Sequence, residues 1–256
     1  MIEGVKSGIL ARLGLESLPK GCVFLFQGPS GSGKTILTDS ILLEQLNRGL
    51  NAVMLTLSRS PADVRESLKE LGWFDPQRPI IVDGYSCIAG KDTRSDCYAL
   101  SNLSNLSDIS IIVSKLLSTV GEGSFFVFDH VSTLLIHNEE IQVVRLLQTL
   151  VARIREAHDM AIIIFESGIH TQSFYNAVRF FVDCVMDFKI EEVEGVLYRA
   201  IRVNRARFPF SDSRWHLIDV VGNGKIAILP SVPWKAISSA NSQEICKMVK
   251  AGNNQM

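Results

Sequence analysis

Eight consecutive residues, Gly28-Pro29-Ser30-Gly31-Ser32-Gly33-Lys34-Thr35, fit the pattern G-x-x-x-x-G-K-[ST]. The residue types state the chemistry. Glycines let the backbone bend until successive N–H groups point at one anion, and a following helix adds its positive dipole end. A lysine at position 34 reaches the β- and γ-phosphates of a nucleotide, and the Thr35 hydroxyl holds magnesium. An apolar run, Val23-Phe24-Leu25-Phe26, precedes the motif, and a helical pattern from Ile36 to Arg48 follows it. That is the strand–loop–helix setting the motif requires.

Two carboxylates fit the same chemistry. Phe125-Phe126-Val127-Phe128 is a buried-strand run that delivers Asp129 at its carboxyl end. About a hundred residues after a phosphate loop, such an Asp holds magnesium through water. Met160 to Phe165 is a second apolar run, and it delivers Glu166 in the same way. The five histidines, at 130, 137, 158, 170 and 216, show no i, i+4 pairing. No metal site beyond magnesium is therefore expected.

The elements that must position these groups follow from periodicity. Ile36, Leu37, Ser40, Ile41, Leu43 and Leu46 recur at helical spacing, and Gly49 stops the helix. Asn51 to Leu57 reads as a doubly covered strand. Ser60-Pro61-Ala62-Asp63 predicts a helix start with Ser60 as cap, and Gly72 ends that helix. Ile80-Ile81-Val82 reads as a strand, and residues 84 to 107 as a long loop. Ser107-Asp108 predicts the cap of a helix running to Leu117. Glu139 and Glu140 open a longer helix, with Ile141, Val144, Leu147, Val151 and Ile154 as its apolar stripe. After Asp183, four strand-like runs (184–190, 197–207, 215–220 and 225–229) are joined by short turns. The whole reads as an α/β fold. A mostly parallel sheet carries helices on both faces, and antiparallel strands are added at the C-terminal side. Gly28, Ser58, Asp129 and Glu166 should then converge at the carboxyl ends of the strands. Residues 1 to 230 read as one domain that opens with a short helical lead-in over residues 1 to 20, and residues 231 to 256 as a peripheral tail.

Composition excludes several classes. The 256 residues are 46% hydrophobic and 21% charged, with a net charge of −1, so no global basic field advertises nucleic acid or an anionic membrane. Lys6 and Arg12 interrupt any signal-peptide pattern, and Asp129 and Glu166 break the longest apolar runs. Cytoplasmic location with no membrane span is the expectation. The five scattered cysteines (22, 87, 97, 184, 246) contain no C-x-x-C and read as reduced thiols.

With these landmarks in place, the chain resembles the KaiC-like branch of the RecA superfamily over nearly its whole length. Leu18-Pro19-Lys20-Gly21 is similar to that family's lead into the first strand. The phosphate loop, the Ser60-Pro61 helix start, Asp129 and Phe165-Glu166-Ser167 follow in family order. Val203-Asn204-Arg205-Ala206-Arg207 is similar to the family's V-x-K-x-R strand, with Arg205 in place of lysine. The resemblance implies a RecA-like P-loop NTPase core that binds ATP and Mg²⁺, and it allows a homo-oligomer or ring and, separately, a protein partner. In ring-forming members the two basic residues of that strand reach the neighbour's nucleotide, a role that Arg205 and Arg207 would inherit.

One departure bears on catalysis. The family places paired glutamates just before the Ser-Pro helix start, where one activates the attacking water, but here those positions are Ser58 and Arg59. Glu166 is the carboxylate left to orient water. Asp129-His130 departs as well, since a small hydroxyl residue usually follows the Asp. These features imply a regulatory or assembly module that binds ATP, with slow or absent hydrolysis to ADP and phosphate. The alternative is a RecA/RadA recombinase paralogue that binds single-stranded DNA and assists recombination or repair. The segment 167–173 after Glu166 lacks Lys and Arg, which counts against DNA, while Arg202, Arg205 and Arg207 keep it open. Kinase-like transfer to Ser or Thr ranks last, because no acceptor is identifiable.

Overall fold

The computed structural model describes residues 5–6, 8–15, 17–90, 98–209, 212–221 and 225–231. A two-stranded antiparallel ribbon, β1 (Val5–Lys6) and β2 (Ser17–Leu18), encloses the short helix α1 (Gly8–Ala11). The main body then alternates. It runs through β3 (Val23–Gly28), α2 (Lys34–Asn47), β4 (Ala52–Thr56), α3 (Pro61–Glu70), β5 (Ile80–Asp83), α4 (Tyr85–Ile88), α5 (Leu106–Val120) and β6 (Phe125–Asp129). A 3-10 turn (Val131–Thr133) leads to α6 (Leu134–His137), α7 (Glu140–Glu156), β7 (Met160–Glu166) and α8 (Gln172–Phe181). Four strands close the described chain: β8 (Cys184–Val193), β9 (Val196–Ala206), β10 (His216–Val221) and β11 (Lys225–Ser231).

The nine strands of the main sheet lie in the order β11-β10-β9-β8-β3-β7-β6-β4-β5. From β8 to β5 every pairing is parallel, and from β8 outward to β11 every pairing is antiparallel. The expected α/β class and its antiparallel extension are therefore both present. Alternation along β3 shows why both faces are covered. Val23 and Leu25 enter one core with α5, α7 and α8, while Phe24 and Phe26 enter the other with α1, α2 and α3. Period-2 side chains that are apolar on both faces leave no solvent-facing side for the central strands.

Local signals and structure agree at α3. The Ser60 hydroxyl accepts from the Asp63 N–H (3.2 Å), the Asp63 carboxylate accepts from the Ser60 N–H (3.1 Å), and Pro61 opens the helix.

Three expectations need correction. First, residues 84–107 are not one loop. Asp83 Oδ1 accepts from the N–H groups of Tyr85 (3.0 Å) and Ser86 (2.9 Å) and nucleates α4. Ala99 then bridges Asp83 in parallel, and Leu100 and Leu103 are buried. Residues 91–97 lie outside the described residues. Second, Asn105, not Ser107, caps α5. Its side chain accepts from the Ser107 N–H, and the helix runs on to Val120. Third, the buried face of α7 is Val143, Leu146, Leu147, Leu150, Val151 and Ile154, while Ile141 is 51% exposed. That face, packed against α5 and α8, follows the i, i+3, i+4, i+7, i+8 rule without interruption. The tail expected from residue 231 onward lies, beyond Ser231, outside the described residues. No helix among the described residues is long and apolar enough to cross a membrane.

Candidate functional site

The sheet register brings the sequence-predicted groups level with one another. Gly28 pairs with Glu166, and Thr56 pairs with Asp129, at the carboxyl ends of parallel strands. The phosphate loop leaves β3 through Gly28, where a Cβ would lie 2.6 Å from the Phe188 Cβ and 2.7 Å from its carbonyl oxygen. Only glycine permits that approach to β8. Gly33, at φ 94°, turns the chain through the left-handed region into the N-terminus of α2. Pro29, Ser30, Gly31 and Ser32 form the bend between them, and Arg199 of β9 ties it down by donating from Nε to the Gly31 carbonyl (2.7 Å).

Lys34 is 3% exposed and lies under this bend. Its ammonium donates to the carbonyls of Gly28 (2.9 Å) and Pro29 (2.7 Å) and pairs with Glu166 Oε2 at 3.1 Å. Burial lowers its pKa below the usual lysine value, although Glu166 opposes the shift. Burial works to raise the Glu166 pKa, but the His130 ring and Lys34 more than offset it and hold the carboxyl below its ordinary range.

His130 joins the parts. Its Nδ1 lies 3.3 Å from Glu166 Oε1, its Nε2 lies 3.2 Å from the Thr35 hydroxyl, and Asp129 Oδ1 is 3.6 Å from the same Nε2. A carboxylate only accepts, so a ring proton on Nδ1 faces Glu166, and in that tautomer Nε2 is the acceptor for the Thr35 hydroxyl. His130 takes this position from a left-handed backbone (φ 54°), uncommon for a residue with a side chain.

Asp129 is fully buried. Its Oδ2 accepts from Ser58 Oγ (3.2 Å) and from Arg59 Nε (3.3 Å), whereas its Oδ1 has no hydrogen-bond partner among the described residues. Burial raises its pKa even with Arg59 and His130 beside it. An unpartnered carboxylate oxygen and a threonine oxygen, both within 3.6 Å of one imidazole nitrogen, are hard donors of the kind magnesium takes. Magnesium normally adds water and substrate phosphates to one or two protein ligands. The donor set fits it, although no group of three or more His, Cys, Asp or Glu among the described residues is placed to hold a metal ion by itself.

Arg205 and Arg207 are not in this cluster. β9 runs antiparallel to β8, so Arg205 opposite Val185 lies at the far end of the sheet from Arg199 and the loop. Arg205 donates to the carbonyls of Arg179 and Val182, and Arg207 to that of Phe180, at the C-terminal end of α8. Sequence reasoning missed Asp39 and the structural role of α8. Asp39 interrupts the apolar spacing of α2 as a buried acid, and that was the available signal. α8 supplies Tyr175, whose hydroxyl donates to the Glu166 carbonyl (2.6 Å). Ser132, also missed, accepts from the Glu166 N–H (3.0 Å) and contacts His170 Nε2 at 2.9 Å.

Comparison with known proteins shows the family and the fold. The family model described as "ATPase: KaiC" matches residues 5–232. A UPF0273 protein of Saccharolobus solfataricus is 24% identical over 247 residues, covering 91% of this chain and 87% of its own. The circadian clock protein KaiC3 of Synechocystis is 38% identical over 74 residues, 28% of this chain and 15% of its own. Among solved structures, the KaiC-like protein PH0186 from Pyrococcus horikoshii superposes with a TM-score of 0.70 at 19% identity. It covers 90% of this chain and 100% of that one, a likeness of fold.

Proposed function

The chain belongs to the KaiC ATPase family, and from that premise we propose that it is an ATP-binding regulatory or assembly module that hydrolyses ATP slowly or not at all. One observation carries the reading. The two positions before the α3 cap present a hydroxyl and a guanidinium, and both donate to Asp129. Neither group accepts a proton from water at neutral pH. Glu166, the remaining acid, has one oxygen on Lys34 and the other on His130.

In this reading the Gly28–Thr35 loop and Lys34 grip the phosphates, while Thr35 and Asp129 are the residues that would hold magnesium. When bound, the metal would supply charge neutralisation to the nucleotide's phosphates. To bind phosphate, Lys34 must give up part of its contact with Glu166, and Ser132 and Tyr175 hold the backbone of that residue in place meanwhile. The test is direct. The purified protein should bind ATP, lose it in Lys34→Ala, and turn over well below about one ATP per second, the low end of ordinary enzyme rates. Turnover at or above that rate ends the proposal.

A second reading, single-stranded DNA binding, draws on one feature. A 410 Å³ cavity beside Gly28 is lined by Arg179, Lys189 and Arg202 together with Tyr175 and Trp215, the mixture of cations and stacking rings that single strands use. Asp187 already takes Arg202 (2.8 Å), which ranks this reading second. Salt-sensitive binding of an oligonucleotide, lost in Lys189→Ala, would raise it.

A further inference from the structure

Arg59, between β4 and α3, is held as tightly as a catalytic group although it has no acid–base chemistry to offer. Asp39 grips it bidentately, Oδ2 on Nη1 at 2.8 Å and Oδ1 on Nη2 at 2.9 Å, and its Nε reaches Asp129 Oδ2 at 3.3 Å. Ser67 Oγ donates to Asp39 Oδ2 (2.8 Å) and fixes that carboxylate in turn. Even the backbone is pinned. The Thr56 hydroxyl donates to the Arg59 carbonyl (2.7 Å) and accepts from its N–H (3.3 Å). Asp39 and Asp129 are 2% and 0% exposed, so the planar fork is matched to two buried anions rather than lying loose on a surface.

The charges around the phosphate loop then balance in an unusual way. Among the described residues, the cluster sets three carboxylates, Asp39, Asp129 and Glu166, against Lys34 and Arg59, with Arg199 a third cation on the outer side of the bend at the Gly31 carbonyl. A polyphosphate entering this site brings several more negative charges. Without Arg59, neither Lys34, already shared with Glu166, nor Arg199, bonded to the Gly31 carbonyl, pairs with Asp39 or Asp129, and a metal ion would be needed to offset those buried acids. Arg59 offsets Asp39 and Asp129 from within the chain, and it does so where low dielectric makes each charge count most.

We propose that Arg59 is a resident counter-cation that takes over the neutralisation of Asp129 otherwise left to magnesium, so that the site retains ATP and ADP with little dependence on divalent metal. This inference rests on the nucleotide-binding reading above. Asp129 Oδ1 and Thr35 keep a place for the metal, but the pull of Asp129 on it is reduced, and by reciprocity the metal adds little to nucleotide affinity.

The experiment is calorimetric binding of ATP and ADP to the full chain, in excess Mg²⁺ and again in excess EDTA. Coupling between two ligands commonly spans about 5–150-fold, so the wild type is expected to change affinity by less than about threefold on chelation. Arg59→Gln, which keeps hydrogen-bond donors and removes the charge, should raise that ratio above about tenfold. Arg59→Lys, which keeps the charge, should stay near the wild type. A wild-type loss of about tenfold or more in EDTA overturns the proposal whatever the variants do, as does an Arg59→Lys ratio as high as that of Arg59→Gln. Absence of binding in both buffers would instead bring down the nucleotide-binding reading, a distinguishable result.

Discussion

Asp159 shows how a single buried oxygen sets a pH dependence. It sits at the start of β7, fully buried, and its Oδ1 accepts from the Ser124 N–H at 2.7 Å while its Oδ2 has no partner among the described residues. Burial pushes its pKa up to about 6, against the pull of the backbone N–H groups of Ser124 and Gly123. In the unfolded chain the group titrates near 4. The folded state therefore holds the proton more tightly, and stability falls as pH rises from about 4 through about 6. A shift of this size corresponds to about 2–3 kcal/mol. Asp159→Asn keeps the acceptor for Ser124 and removes the charge. At pH 8 it should melt higher than the wild type, by about 5–10 °C at 2–4 °C per kcal/mol, and the gain should vanish near pH 4. Melting curves at the two pH values check this, and an equal gain at both would exclude the linkage. Nothing in the sequence marked Asp159, because a carboxylate at a strand start is ordinary until the structure buries it.

Among the elements, α8 illustrates what the sequence carried and what it withheld. Phe174, Tyr175, Val178 and Phe181 form its buried face, and the Thr171 side chain caps it by accepting from the Phe174 N–H at 3.2 Å. That pattern was present in the sequence, but the polar segment before it reads as loop and the helix spans only ten residues. Strands announced themselves better. Runs such as 125–128 and 160–165 are apolar at every position and short, as a strand covered on both faces should be. Side chains that cross between elements were not legible. The reach of Arg59 to Asp39, 20 residues away, and of Arg205 to the end of α8 depends on packing that no local pattern encodes. At that helix end the carbonyls of Arg179, Phe180, Phe181 and Val182 accept from Arg205, Arg207 and Arg155. Cations at a helix C-terminus stabilise it by about 0.3–1 kcal/mol each at exposed sites. The Arg205→Ala/Arg207→Ala variant should speed amide exchange across 172–181 by severalfold while Arg155 holds the end partly closed. Unchanged exchange would show that the two arginines do not cap the helix in solution.

For the whole molecule, the question is what the carboxyl end of the parallel strands faces. Ile141 and Ile169 are 51% and 64% exposed, and they flank one contact: Glu140 accepts from the Thr171 N–H at 2.9 Å. Ile136, on the neighbouring α6, is 78% exposed. Exposed apolar side chains on segments joined by a polar contact are candidates for an interaction surface. The surface also connects to the site, since His170 lies between Ile169 and Thr171 and touches Ser132, which holds the Glu166 backbone. A change at Glu166 when nucleotide draws Lys34 away thus has a bonded route of three residues to this face. Assembly that responds to nucleotide is the expected consequence. Light scattering should show a larger particle with magnesium and ATP than without, and Ile169→Glu should block the increase while leaving nucleotide affinity unchanged. A mass that does not move with nucleotide would end the assembly reading, yet the phosphate loop would still stand as a binding site. In the proposed reading, binding rests on Gly28 to Thr35, whereas assembly rests on whether Glu166 transmits what Lys34 does.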